Sequence, residues 1–162
     1  MDAATIQTLL TKLKGATWTW SKAGAEQVIA SLGARMVQGV PGRSTYETPE
    51  GPRLSLYSEG NLAEFLEITL EAFQDPHLLS EVEHEHKANE FLQKFQAAVA
   101  IGTRILGPPV FNDGVGRDGF PEDQDAVRLA LWPSGNSRLM IEQKHEDKEL
   151  PIRLSIVVAP PA

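Results

Sequence analysis

The stretch ANEFLQKFQAAVAIGTRIL, residues 88–106, decides the fold because its apolar residues recur at the three- and four-residue spacing of an amphipathic helix. Arg104 suits the negative end of the helix dipole, and Gly107 followed by Pro108 ends the helix. Segments with strand and hairpin patterns lie on both sides of it. We therefore expect an antiparallel sheet packed against the apolar stripe of this central helix, formed by Ala88, Phe91, Leu92, Phe95, Ala98, Val99, Gly102 and Ile105.

The length and charge of the chain narrow the classes of protein to which it can belong. Its 162 residues are enough for a sizeable core, and we predict a single α+β domain over residues 1–162. The sequence has no cysteine, which excludes disulfides, thiolate zinc sites and cysteine nucleophiles. A net charge of −7 argues against nucleic-acid binding and suits a basic partner, although the same excess also keeps an ordinary protein soluble.

No stretch of the sequence has the pattern of a membrane span or an export signal. The apolar runs are far shorter than the roughly 20 residues that cross a bilayer. The residues after Met1 are polar and amphipathic rather than charged and then apolar. We therefore expect a cytoplasmic protein that does not contact a membrane.

Two shorter helices are predicted ahead of the sheet. The first runs from Asp2, as its N-cap, to Gly15, and the second from Ser21, as its N-cap, to Gly33. The connector between them contains two tryptophans, at positions 18 and 20. We expect both indoles to bury a corner between the helices.

Turn residues separate short segments of strand character in both halves of the chain. In the first half these segments are 35–40, 44–48, 53–58 and 66–70, with a helix over 63–73 as the alternative for the last. In the second half they are 126–132, 138–144 and 152–158. We predict an antiparallel sheet of about six strands from two similar halves, packed against the long central helix and the two N-terminal helices.

Two segments are left open by the pattern. The apolar residues of 78–82 are out of phase with the stripe of the central helix. Either a short helix precedes the central one, or one long helix changes its buried face near residues 83–86. The segment 107–125 is rich in Gly, Pro, Asn and Asp, and loops of this length are usually functional or disordered.

The sharpest chemical pattern is His77, Glu81 and His84, at positions i, i+4 and i+7. On one continuous helix these side chains would project from the same side and suit a divalent metal. The alternative is a solvated face, which the neighbouring acidic residues favour. No serine lies in a Gly-x-Ser-x-Gly motif. We predict no catalytic residue, metal site or cofactor, and keep a metal-dependent enzyme with this His/Glu site as an alternative.

Three sequence features, in their order along the chain, resemble those of a known class of proteins. They are Trp18-Thr19-Trp20 before a helix that ends at Leu32-Gly33, the helix end Ile105-Leu106-Gly107-Pro108-Pro109, and the hairpin from Trp132 through Gly135 to Met140. In this order the chain resembles small, acidic, cysteine-free immunity proteins of bacterial polymorphic toxin systems, including uncharacterised actinobacterial relatives. The resemblance implies stoichiometric binding and neutralisation of a cognate toxin. The alternative is a secretion chaperone that binds an exported effector, although that class typically ends in a helix.

Two carboxylate-rich segments are the predicted partner-binding surface. One lies in the long loop and the other at a hairpin tip between two predicted strands. Together they would attract a basic toxin domain if the fold brought them close. The predicted partner-binding residues are Glu122, Asp123, Asp125, Glu146, Asp147 and Glu149.

Overall fold

The computed structural model describes residues 2–162, which form three α-helices and eight β-strands. The helices are α1 (Ala3–Lys14), α2 (Lys22–Ser31) and α3 (Glu81–Leu106), and a short 3-10 helix at Pro76–Leu78 precedes α3. The strands are β1 (Arg35–Val40), β2 (Arg43–Glu47), β3 (Arg53–Glu59), β4 (Leu62–Phe73), β5 (Phe111–Gly114), β6 (Arg128–Pro133), β7 (Arg138–Lys144) and β8 (Ile152–Ala159).

Side-chain caps set the start of each α-helix. The carboxylate of Asp2 accepts a hydrogen bond from a first-turn amide of α1 at 3.1 Å, and the Ser21 hydroxyl does the same for α2 at 2.9 Å. At α3, Ser80 and Glu83 accept hydrogen bonds from each other's backbone amides and form a capping box. The central helix therefore begins at Glu81, and the 3-10 helix before it is a separate element.

All eight strands form one antiparallel sheet in the order β1-β2-β3-β4-β8-β7-β6-β5. Each half of the chain places a helix before a four-strand meander, and the last strands of the two meanders pair at the centre of the sheet. There Ile68 pairs with Ile156, and Glu67 pairs with Val157. An approximate two-fold axis perpendicular to the sheet therefore relates the strands of the two halves.

The predicted architecture of about six strands with a long central helix and two N-terminal helices is wrong, although the α+β class stands. Residues 2–162 form three α-helices and eight strands, and β5 lies inside the segment predicted to be a loop. The sequence of β5, Phe-Asn-Asp-Gly, favours turns. It is a strand because it pairs with β6, with Phe111 opposite Leu131. That pairing is a contact between distant residues, which local sequence does not reveal.

The helices cover one face of the sheet. Phe95 and Val99 of α3 are buried in the core beneath them, and Leu92 is half-buried at its margin. Gly102 lies so close to the indole of Trp132 that a β-carbon at this position would be 2.9 Å from the ring. Packing between α3 and the second half of the sheet therefore requires glycine here.

The two tryptophans between α1 and α2 connect the helical layer to the second half of the sheet. Trp18 and Trp20 are both buried, and their rings stack with centroids 5.2 Å apart. The indole nitrogen of Trp20 donates a hydrogen bond to the carbonyl of Asn136 at 2.7 Å, and the Asn136 amide donates to the carbonyl of Trp18 at 3.3 Å. The predicted packing role of the two indoles is confirmed.

The length of α3, at 26 residues, raises the question of a membrane span. Its first turns are rich in charged residues and histidine, so its apolar character is confined to one stripe. Within residues 2–162 no helix combines the length and the apolar character that crossing a bilayer requires. The predicted cytoplasmic location goes beyond this finding and stays a prediction.

Candidate functional site

The sheet face opposite the helices, which we call the open face, is covered in the second half of the chain. Residues 115–127, which we call the covering loop, connect β5 to β6 and fold over this face. Phe120 of the loop packs edge-on against Phe111 of β5, with ring centroids 5.9 Å apart. Beneath the loop lies a second hydrophobic cluster of buried residues, composed of Ala126, Leu129, Leu131, Met140, Val157 and Ala159.

An ion pair fastens the covering loop to the sheet. The guanidinium of Arg138, at the start of β7, donates two hydrogen bonds to the carboxylate of Asp123, at 2.9 and 2.5 Å. A third donor of Arg138 bonds to the carbonyl of Pro160 at 2.7 Å. The Arg138 side chain is only 9% exposed, and its hydrogen bonds hold the pKa of Asp123 below the usual value. Asp123 is thus a docking residue of the loop.

The open face of the first half has no such cover, because the two-residue turn Pro41-Gly42 joins β1 to β2. Exposed and half-buried side chains there line a shallow groove of about 450 Å³. Most of them are polar. We call this surface the polar face, and its residues are Gln38, Arg43, Thr45, Arg53, Ser55 and Thr69.

Two arginines of the polar face have no side-chain partner among the described residues 2–162. Arg43 and Arg53 are exposed, and neither makes an ion pair or a hydrogen bond with its side chain within residues 2–162. Glu47 lies opposite Arg53 in the β2–β3 pairing, but its carboxylate bonds to Arg35 at 3.4 Å. Glu71 at the margin of the groove is paired with a lysine of α3. The polar face therefore presents two available cations in an acidic protein.

A charged network joins the two halves where β4, β8 and β7 meet. One carboxylate oxygen of Glu67 accepts hydrogen bonds from the hydroxyl of Ser155 at 2.7 Å and from the guanidinium of Arg153 at 3.2 Å. Arg153 also donates two hydrogen bonds to Glu146, at 2.7 and 3.2 Å. Glu67 and Ser155 are buried, so these bonds compensate the loss of solvent around their polar atoms.

Glu142 of β7 is the least satisfied member of this region. It is fully buried, and its carboxylate has no well-aligned hydrogen bond among the described residues. The ammonium of Lys144 lies 3.2 Å from one of its oxygens. Burial outweighs the attraction of this cation and raises the pKa of Glu142 to about 7. Glu142 therefore gains a proton within the pH range around neutrality.

The fold does not bring the two predicted acidic clusters together. Asp123 is bound to Arg138 at the start of β7, whereas Glu146 follows Lys144 at its end. The strand between them spans about 20 Å at the usual rise per residue. Asp123 and Glu146 are both engaged by arginines, and the members without an ion pair among residues 2–162 are Glu122, Asp125, Asp147 and Glu149. Partner binding by these residues stays a prediction.

The three residues of the alternative metal site do not lie on one continuous helix. His77 lies on the 3-10 helix, whereas Glu81 and His84 lie on α3, so the three do not share one helix face. No group of three potential ligands suited to a metal exists among residues 2–162. Instead, the ring of His84 lies 5.2 Å from that of His145. The pKa of His145 is lowered, mainly by burial and to a smaller extent by the charge of His84.

Sequence reasoning missed the polar face and the charged network. A signal for the network was present in β7, where Arg138, Met140, Glu142 and Lys144 occupy alternate positions and therefore share a face. The Arg-Leu pair at Arg53 recurs at Arg138, each time after a Pro-x-Gly turn, but this repeat does not show that the first arginine is left uncovered. The importance of Arg53 depends on the missing cover, which only the fold shows.

Comparisons with known proteins give little support for any assignment. No protein-family model and no curated protein sequence matches the chain. One solved structure, a DUF4309 family protein (YjgB) from Bacillus subtilis subsp. subtilis str. 168, is similar at 13% sequence identity with a TM-score of 0.44. The match covers 98% of this chain and 97% of that chain. A likeness at this level identifies neither a family nor a function.

Proposed function

We propose that the chain is a binding protein of the immunity type, which binds and neutralises a cognate bacterial toxin by stoichiometric protein–protein contact. The observation that supports this proposal is the uncovered polar face of the first half. The backbone positions of residues on paired strands are fixed, so a partner meets a surface whose spacing is set in advance. The resemblance to immunity proteins in the order of sequence features points the same way.

The exposed carboxylates offer a second region for a partner. Glu122 and Asp125 lie near the start of β7, and Asp147 and Glu149 lie near its end. None of the four has an ion pair within the described part of the chain, residues 2–162. Exposed negative charge speeds the encounter with a basic toxin surface. Because the two pairs are far apart, we expect a compact partner to use one pair.

One observation favours the secretion-chaperone alternative. All six residues of β1 are exposed, and this strand forms an edge of the sheet. Met36, Val37 and Val40 place apolar side chains along that edge. An extended exported segment would add to such an edge as a further strand. The metal-enzyme alternative has no comparable support, since one of its three candidate ligands lies on the 3-10 helix and the other two lie on α3.

The experiment uses the protein encoded next to this chain as the candidate toxin. We expect this neighbour to arrest bacterial growth when expressed alone, and co-expression of the chain to restore growth. The purified pair should elute together at a ratio of one to one. A neighbour without toxicity, or toxicity that the chain does not relieve, contradicts the proposal. Binding only to an unfolded segment of the neighbour supports the chaperone instead.

Charge reversal tests the acidic region separately. Replacing Glu122 and Asp125 together by lysine should slow association with the toxin several-fold at low salt and flatten its salt dependence. Asp123 stays unchanged because it holds the covering loop on Arg138. The matched control reverses Asp147 and Glu149. Equal association rates for the wild type and both variants would exclude both acidic pairs from the contact.

A further inference from the structure

We infer that the polar face binds an extended acidic segment of a partner protein, with one carboxylate on Arg53 and a second on Arg43. The inference rests on the proposed function and adds the chemistry of the partner segment that this face accepts. The second half supports it, because the arginine equivalent to Arg53 there, Arg138, already binds a carboxylate of the covering loop.

The register of the sheet makes Arg53 and Arg138 equivalent. Each is the first residue of the third strand of its meander. Each also lies opposite the last residue of the second strand: Arg53 opposite Glu47, and Arg138 opposite Pro133. The residue after each arginine is a leucine that points into the core, at position 54 or 139. Both arginines therefore project from the open face.

The covering loop shows what such an arginine binds. Asp123 sits on Arg138 through two parallel hydrogen bonds, in the fork geometry that guanidinium and carboxylate groups share. In the first half the guanidinium of Arg53 is exposed, and residues 2–162 supply no acidic loop to it. A carboxylate from a partner can take the place that Asp123 takes in the second half.

The spacing of the two arginines specifies the shape of the segment. Arg43 pairs with Tyr57, which lies four residues after Arg53 on β3. The Cα atoms of the two arginines are thus about 13 Å apart along the strand direction. An extended chain covers the same distance in four residues, so carboxylates at positions i and i+4 match both cations. Between them, Thr45 and Ser55 form a directly paired polar row for backbone or hydroxyl groups of the segment.

A synthetic heptapeptide, acetyl-Ser-Glu-Thr-Ser-Thr-Glu-Ser-amide, serves as the probe. Its two glutamates are four residues apart, and the sequence favours an extended conformation. We expect it to bind the intact chain weakly, with a dissociation constant in the high micromolar range that rises with salt. In amide NMR spectra the shifts should be confined to β2, β3 and their neighbours on the sheet.

Substitutions separate the polar face from general charge effects. Arg53→Glu and Arg43→Glu should each weaken peptide binding at least tenfold, while Arg53→Lys should retain part of it. Arg117→Glu is the matched control, because Arg117 is an exposed arginine of the covering loop and its reversal changes the net charge equally. A peptide in which both glutamates are replaced by glutamine should not bind measurably.

The outcome that overturns the inference is defined without the toxin. Absence of binding up to millimolar peptide, or equal loss of binding in Arg53→Glu and Arg117→Glu, contradicts it. Shifts that map to the covering loop rather than to β2 and β3 contradict it as well. This titration uses only the peptide, so a negative result does not bear on toxin neutralisation, which the growth assay tests. Conversely, a negative growth assay does not change the result of the peptide titration.

Discussion

The two halves of the molecule have the same strand arrangement, but their parts of the open face differ in polarity and in cover. At equivalent register positions the first half places Thr45 and Ser55, whereas the second half places Leu131 and Met140. The apolar pair lies under the covering loop, and the polar pair faces the groove of the polar face. This difference follows from the connection between the first two strands of each half. The connection has only two residues in the first half and is the long covering loop in the second.

The comparison shows that the side chains of the open face are apolar where a loop covers them and mostly polar where no loop does. Apolar surface left in contact with water is costly, so the half with the loop can carry leucine and methionine there. The half without the loop carries hydroxyl and guanidinium groups. Among the equivalent positions of the two open faces, only the first residue of the third strand is the same in both halves, as Arg53 and Arg138. It is paired in one half and available in the other.

The largest effect should come from removing the cover. Replacing residues 115–127 with Pro-Gly would give the second half the short connection of the first. The change exposes Leu129, Leu131 and Met140, and full burial of each such side chain contributes about 1.5–3 kcal/mol. We expect the free energy of unfolding to fall by about 5 kcal/mol or the protein to aggregate, as measured by urea denaturation and light scattering. Unchanged stability would show that the loop does not support this half.

A reciprocal exchange at one register position should have the next largest effect. Met140→Ser gives the second half the residue of the first and should cost about 2–5 kcal/mol through lost burial and the cavity left behind. Ser55→Met, on the uncovered face, should change the free energy of unfolding by less than about 0.5 kcal/mol. Urea denaturation of both variants measures the contrast. Similar losses in the two variants would mean that the two faces are not different environments.

The buried carboxylate of the second half should make stability depend on pH. The folded state raises the pKa of Glu142 from 4.5 to about 7, so it holds a proton that the unfolded chain has already released. Its contribution is therefore present below pH 4.5 and is lost as the pH rises toward 7, by about 3 kcal/mol in total.

The test compares urea denaturation of the wild type and Glu142→Gln from pH 4.5 to pH 8. The difference in stability between the two proteins should shift in favour of the glutamine variant as the pH rises. Glu122→Gln, at an exposed position of the covering loop, is the control and should follow the wild type. Parallel curves for all three proteins would show that Glu142 titrates normally.

The smallest expected effect concerns the shared arginine. Arg138→Ala removes a nearly buried side chain and its bonds to Asp123, and should cost about 2 kcal/mol. Arg53→Ala removes an exposed side chain without an ion pair within residues 2–162 and should change stability by less than about 0.5 kcal/mol. Thermal or urea denaturation distinguishes the two. A cost at Arg53 equal to that at Arg138 would mean that Arg53 has an intramolecular role.

Much of the fold was predictable where the signal is local. The caps at Asp2 and Ser21 and the apolar stripe around Phe95 mark helices whose stabilising contacts lie within a few residues. The strand count was not predictable in the same way. The turn-like sequence at Phe111 becomes a strand only because Leu131 lies opposite, and the two residues are distant along the chain.

The candidate site was predictable in part. The sequence indicated that Glu122 and Asp125 would be exposed, but it could not tell that Asp123 between them is bound to Arg138. The histidine pattern assumed one continuous helix, whereas the capping box at Ser80 starts α3 after His77. In both cases a single long-range or capping contact changed the role of a residue.

By itself the sequence determined the ends of α1 and α2, the end of α3 at Leu106, most strand segments and the charge of the protein, because caps, periodicity and ionisable groups act over short distances. The tertiary structure alone decided which half of the open face is covered. It also decided that Arg138 is paired while Arg53 is available, and that Glu142 is buried beside Lys144. These outcomes depend on contacts between residues far apart in the chain, and on the solvent that those contacts exclude.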